Sequence, residues 1–156
     1  MQIEVVGGDP RAIATQALVV GVLERSDRQP PWTVELNRVM GGAIADRLRA
    51  GDVRGKLGEV SAIPGGGSVR ASLVVLVGLG PRDQLNLDRL RRATGRVVRW
   101  LDEGRAREAS FLIHLLAERQ GQAAATRAAA EAAVLAAFRS PVFGEKKASG
   151  GRGGAE

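Results

Sequence analysis

Two hydrophobic periodicities divide this chain, one suited to strands and one to helices. Gln2 to Val6 alternates, with Ile3 and Val5 on one side and Gln2 and Glu4 on the other, which predicts an edge strand with one wet face. Ala17 to Leu23 and Ala71 to Val77 are continuous apolar runs rich in β-branched residues, as expected of strands covered on both faces. Ala109 to Leu116 is a third such run and carries the one histidine, His114, read as a core residue. Glu59 to Ile63 is a shorter strand. The link from Pro64 to Ser68 (PGGGS) leaves no room for a helical crossover, so this strand and the next are expected to be antiparallel.

Between the strands the spacing changes. Leu36, Val39, Met40, Ala43, Ile44 and Leu48 recur at helical intervals, predicting one helix over Thr33 to Ala50. Gly41 and Gly42 lie in its middle, where they either admit another backbone or bend the helix. A second helix is expected after Gly80 with Asn86 as its N-cap. Leu87, Leu90, Thr94, Val97 and Leu101 form its apolar stripe, and Arg89, Arg92, Arg96 and Arg99 line the opposite face. Gln122 to Phe138 is alanine-rich, small enough to dock closely on a sheet, with Val134, Leu135 and Phe138 as its bulk. Together these elements predict an α/β three-layer sandwich: a mixed, mostly parallel sheet of about five or six strands with helices on both faces. One domain over residues 2–139 is expected, followed at 140–156 by a flexible tail or linker stub ending SGGRGGAE.

Composition narrows the chemistry. The chain has 156 residues and no cysteine, which excludes a disulfide framework and thiolate metal sites. No apolar run approaches the roughly 18 residues that cross a bilayer, and the N-terminus lacks a basic segment leading into an apolar one, so a cytoplasmic protein without a membrane partner is expected. The net charge of +6 is uneven: residues 82–107 hold eight arginines against Asp83, Asp88, Asp102 and Glu103. That face is either solvated charge or a surface that attracts phosphate or an acidic partner.

Gly78-Leu79-Gly80 follows a strand, the place where a phosphate-binding turn belongs, so Gly78 and Gly80 are candidate ligand-loop residues. The dinucleotide fingerprint nevertheless fails. Asp83 stands where its third glycine is required, and Asp102 and Glu103 end a helix where an acidic residue should end a strand. Gly51 to Gly58 (GDVRGKLG) has one residue too few between its glycines for a P-loop, and Leu57 follows Lys56 where a Ser or Thr must hold magnesium. No HExxH, GxSxG or histidine pair is present. No catalytic residue, metal ligand or cofactor is therefore expected.

The order of short motifs is more specific than any one of them. Gln16 to Val22 (QALVVGV), Met40 to Ala43 (MGGA), Gly51 to Glu59 (GDVRGKLGE), Leu73 to Gly80 (LVVLVGLG) and Leu87 to Ala93 (LDRLRRA) occur in sequence. In this the chain resembles the N-terminal domain of leucyl aminopeptidases, cytosolic two-metal exopeptidases, over roughly residues 2–147. The resemblance implies a macro-domain-like fold without catalytic residues, since the family's metals and its N-T-D-A-E-G-R signature belong to a larger C-terminal domain. That signature does not occur here. The expected role is assembly or regulation of a metallo-aminopeptidase, by self-association or contact with a catalytic domain, or a stand-alone interaction module. Both a natural single-domain relative and a product cut before its catalytic half fit this pattern. The resemblance also raises an alternative, binding of an ADP-ribose-like nucleotide or DNA through the arginine-rich helix, since some family members bind DNA. Macro domains that bind ADP-ribose carry an asparagine-rich turn after the strand corresponding to Ala17–Leu23, where this chain has Gly21, Val22, Leu23 and Glu24.

Overall fold

The apolar runs assemble into one sheet. A computed structural model describes residues 8–112 and 121–138. It contains strands β1 (Ala17–Val22), β2 (Val60–Pro64), β3 (Leu73–Gly78) and β4 (Ala109–Phe111), and helices α1 (Pro31–Val39), α2 (Ala43–Ala50), α3 (Leu87–Asp102) and α4 (Gln122–Phe138). The strand order is β2-β3-β1-β4. β1 pairs in parallel with β3, from Ala17 opposite Leu73 to Val22 opposite Gly78, and with β4, from Ala17 opposite Ala109 to Val19 opposite Phe111. β2 runs antiparallel to β3, as its short link predicts.

Because side chains alternate along a strand, each central strand feeds two cores. Leu18, Val20 and Val22 of β1 and Val74 and Leu76 of β3 pack with Leu36 of α1 and Ile44 of α2. Ala17 and Val19, with Val75 and Val77, meet Ala93, Val97 and Leu101 of α3 on the other face. Helices thus cover both faces, giving the expected three-layer α/β sandwich. The sheet has four strands among the described residues, fewer than the five or six expected. The expected edge strand Gln2–Val6, the part of the third apolar run beyond Leu112 that includes His114, and the tail from Arg139 lie outside the described residues.

Two helical expectations need correction. The pattern over Thr33 to Ala50 is two helices, separated at Gly41 and Gly42, whose φ values are +66° and +87°. Among the described residues no other part of the chain approaches within 4 Å of either Cβ position, so neither glycine admits a neighbouring backbone there. The left-handed conformation itself ends α1, with the Gly42 amide donating 2.8 Å to the Asn37 carbonyl. The Asn37 side chain then accepts from the Ala45 amide at 2.9 Å, holding α2 against α1.

The alanine-rich α4 lies on α3, outside the sandwich. Ala125, Ala128 and Ala129 surround Leu90, and Ala136 meets Val98. The Leu90 position of the α3 stripe therefore serves a helix–helix seam, while Val97 and Leu101 serve the sheet. Val134 and Leu135, expected to supply packing bulk, are 50% and 71% exposed. The Phe138 side chain lies outside what the structure describes. At the start of α3 the Asn86 side chain accepts from the Arg89 amide at 2.9 Å, the predicted cap.

Candidate functional site

In an open α/β sheet, ligands collect beyond the carboxyl ends of the parallel strands. Here that edge is formed by the ends of β1, β3 and β4 and by the start of α1. Residues 51–58 fold over the end of β3. A Cβ built on Gly78 would lie 1.9 Å from the Lys56 carbonyl oxygen, and one on Gly55 would lie 2.6 Å from the Leu23 backbone. Only glycine at both positions lets the two backbones approach this closely.

The interlock is hydrogen-bonded throughout. The amides of Gly78, Leu79 and Gly80 donate to Glu59, Val22 and Gly55 at 2.8, 2.9 and 2.9 Å, and Gly58 donates to Gly78 at 2.9 Å. The Glu59 carboxylate accepts from the Arg54 and Lys56 amides at 2.9 and 3.2 Å, shaping the covering loop. A phosphate-binding turn needs amides free to point at the anion. At Gly78 and Gly80 they are engaged by backbone carbonyls.

The four candidate arginines do not act as one cluster. Arg89 reaches back over Gly80 and donates to the Gln84 side chain at 2.8 Å. Arg96 lies along Gly58, with its Nε 3.5 Å from that carbonyl. Arg92 forms a 3.0 Å pair with Asp88 one turn earlier, with both side chains about two-thirds exposed. Arg99 is exposed and makes no hydrogen bond or ion pair with the described residues. The fold thus brings Arg89 and Arg96 to the glycine turns and leaves Arg92 and Arg99 facing solvent.

Beside this interlock lies a cavity of about 40 Å³ with Val19, Gly21, Trp32, Val77, Leu79 and Thr94 in its walls. Its lining is mostly apolar, and its volume is far below the roughly 300–1,000 Å³ of small-molecule sites. Leu79 occupies the space left by the missing Gly21 side chain, since a Cβ there would sit 2.3 Å from its Cδ1. Two polar side chains that sequence reading passed over hold this edge. Thr33, buried at the start of α1, donates from its hydroxyl to the Gly21 carbonyl at 2.7 Å. The Gln29 amide pairs with both the N–H and the C=O of Leu23 at 2.8 and 3.0 Å, imitating a neighbouring strand. Their sequence signal is slight: Gln29 directly precedes the Pro30-Pro31 pair, and Thr33 follows it after Trp32.

The carboxylates with displaced pKa values lie away from this edge. Arg11 hydrogen-bonds Asp9 and holds its carboxyl below the ordinary range, and Arg38 does the same for Glu35. Arg11 also donates to Glu35 at 2.9 Å, so the four side chains clamp the segment before β1 onto α1. Among the described residues no group of three or more His, Asp or Glu side chains is placed to hold a metal ion.

Residues 19–147 match the model of the cytosol aminopeptidase family, N-terminal domain. The probable cytosol aminopeptidase of Dechloromonas aromatica (strain RCB) is 30% identical over 148 residues, 94% of this chain and 30% of that protein. Its counterpart in Halorhodospira halophila (strain DSM 244 / SL1) is 32% identical over 135 residues, 86% of this chain and 27% of that protein. The chain thus spans about a quarter of the length of the curated relatives it matches. Among solved structures, the bottromycin maturation enzyme BotP superposes with a TM-score of 0.56 and 25% identity, covering 87% of this chain and 25% of that one. The macrodomain of Mycobacterium tuberculosis DarG gives 0.62 over 85% of this chain and 87% of that one, at 15% identity, a likeness of fold alone. By the family match over residues 19–147 and by relatives 30–32% identical over most of its length, the chain belongs to the cytosol aminopeptidase family, as its N-terminal domain.

Proposed function

We propose that the chain is a non-catalytic module that assembles with, or regulates, a metallo-aminopeptidase in the cytoplasm. The observation that carries this reading is the match of residues 19–147 to a domain that makes up only about a quarter of its relatives. The chemistry of the sheet edge supports it. The glycine turns at 55 and 78–80 lock backbone to backbone, and the small cavity beside them is mostly apolar. The test is to tag the chain in its native cell, recover it under mild conditions, weigh the complex and assay leucyl-substrate hydrolysis with added Mn²⁺ or Zn²⁺. Co-purification of a stoichiometric, metal-dependent leucyl peptidase is the expected result. A stoichiometric partner without peptidase activity would overturn it.

A second reading, binding of an ADP-ribose-like nucleotide or DNA, draws on the macrodomain-like fold and on Arg92 and Arg99 facing solvent. The engaged amides at Gly78 and Gly80 weigh against a phosphate there. Calorimetric titration with ADP-ribose and with duplex DNA at low salt tests it. Binding that falls steeply with salt and is lost when Arg89, Arg92, Arg96 and Arg99 become glutamine supports this reading, and no detectable binding ends it.

A further inference from the structure

Helix α4 is apolar around most of its circumference, with Arg127 and Glu131 as the charged residues in its 17 positions. Such a helix ordinarily has every face covered. Here Ala125, Ala128, Ala129, Ala132 and Ala136 turn inward and are buried. The opposite face carries Ala123, Ala124, Arg127, Glu131, Val134 and Leu135, and these six share one side by their spacing of three, four and seven residues. Val134 and Leu135 are the largest apolar groups on it, at 50% and 71% exposure. Arg127 has no ionic partner among the described residues. Glu131 is half exposed, 3.7 Å from Arg91 of α3.

These six residues are complementary to themselves under a two-fold rotation. Laid antiparallel on a second copy, α4 can be aligned so that Arg127 of each copy stands beside Glu131 of the other. The same alignment sets Val134 beside Ala124 and Leu135 beside Ala123, large side chains over small ones, because all three pairs share a midpoint at the level of Ala129. In a parallel arrangement like charges would meet. From this charge and size register we infer that α4 is the self-association surface of the chain, closed by a second copy through an antiparallel α4–α4 contact with two-fold symmetry. A second copy fits this face because it supplies both the opposite charge and the matching relief at the required positions. One pair of helices about 25 Å long buries less than the ~1,200–2,000 Å² of a standard interface, so the dimer is a concentration-dependent one.

The test is sedimentation equilibrium of the full chain from about 10 µM to about 500 µM, a window that spans the dissociation constants of weak dimers. The mass is expected to rise with concentration from 16.4 kDa toward twice that value. Leu135→Glu is expected to hold the chain at the monomer mass, with Leu135→Lys as a second variant. Both sit on an exposed position, and far-UV circular dichroism verifies that they fold. Arg127→Glu alone and Glu131→Arg alone place like charges together at both contacts, and each is expected to self-associate at least about tenfold more weakly. An equimolar mixture of the two restores opposite charges at both contacts and is expected to recover the dimer. A chain that stays monomeric throughout, as it would if an aminopeptidase subunit were the true occupant of this face, overturns the inference. So does a dimer indifferent to Leu135→Glu, or a charge-variant mixture no tighter than its components.

Discussion

Gly78→Ala tests whether the loop over residues 51–58 is locked onto the end of β3 by close backbone approach. The new Cβ would lie 1.9 Å from the Lys56 carbonyl oxygen and 2.7 Å from the Gly55 carbonyl carbon, both backbone atoms that cannot swing away as a side chain can. Relief requires the loop to move by more than 1 Å, an overpacking cost of about 1–3 kcal/mol. That displacement breaks the bonds from Gly58 to Gly78 and from Gly80 to Gly55, each 2.9 Å long and worth about 1 kcal/mol. The sum is about 3–5 kcal/mol, a large part of the roughly 5–15 kcal/mol that holds a domain folded. Thermal unfolding followed by circular dichroism should show a drop of about 6–20 °C. Gly67→Ala is the control. Gly67 has φ +82° with nothing among the described residues within 4 Å of a Cβ built there, so alanine costs only the left-handed backbone penalty of about 1–2 kcal/mol. Equal destabilisation by the two substitutions would refute the interlock.

Three further outcomes follow from single contacts. Asn86→Ala removes the side-chain acceptor at the start of α3 and should cost about 1 kcal/mol, measured by urea denaturation; no change would mean that the cap is redundant. Thr33→Val keeps the shape but removes the 2.7 Å donor to Gly21, and should cost about 1–3 kcal/mol by the same measurement, because that carbonyl loses its buried side-chain partner. Asp9 and Glu35 titrate below their ordinary values, so the clamp they form with Arg11 and Arg38 contributes at pH values above the unfolded carboxylate range. Its contribution is lost as pH falls through the depressed folded values. Carbon-13 NMR titration should show Glu35 moving up toward its ordinary value in Arg38→Gln, while Asp9 responds chiefly to Arg11→Gln.

What sequence patterning could reveal here depended on whether the deciding interaction was local. The two central strands, the antiparallel β2–β3 pair and the Asn86 cap were legible because apolar runs, a short glycine-rich link and a capping residue act within a few positions. The break at Gly41 and Gly42 was not. Apolar spacing runs on through the pair, and only their positive φ values stop the helix. The docking of α4 was illegible for a different reason. A helix made largely of alanine has no amphipathic direction, so nothing in it indicates α3 as its partner or sends Val134 and Leu135 outward. At the candidate site, the sequence marks Gly78 and Gly80 as special without giving the reason. That reason is the approach of a loop some twenty residues earlier, and, like the bonds from Thr33 to Gly21 and from Gln29 to Leu23, such long-range contacts leave no periodic trace.

The role proposed for this chain is that of a scaffold which does not itself supply the chemistry of a metallo-aminopeptidase. The most direct measurement is turnover of a leucyl anilide by the purified chain, alone, with Mn²⁺ or Zn²⁺ added in excess. The predicted rate equals that of the metal-only blank. Robust metal-dependent release of the leaving group that co-elutes with the chain would contradict it.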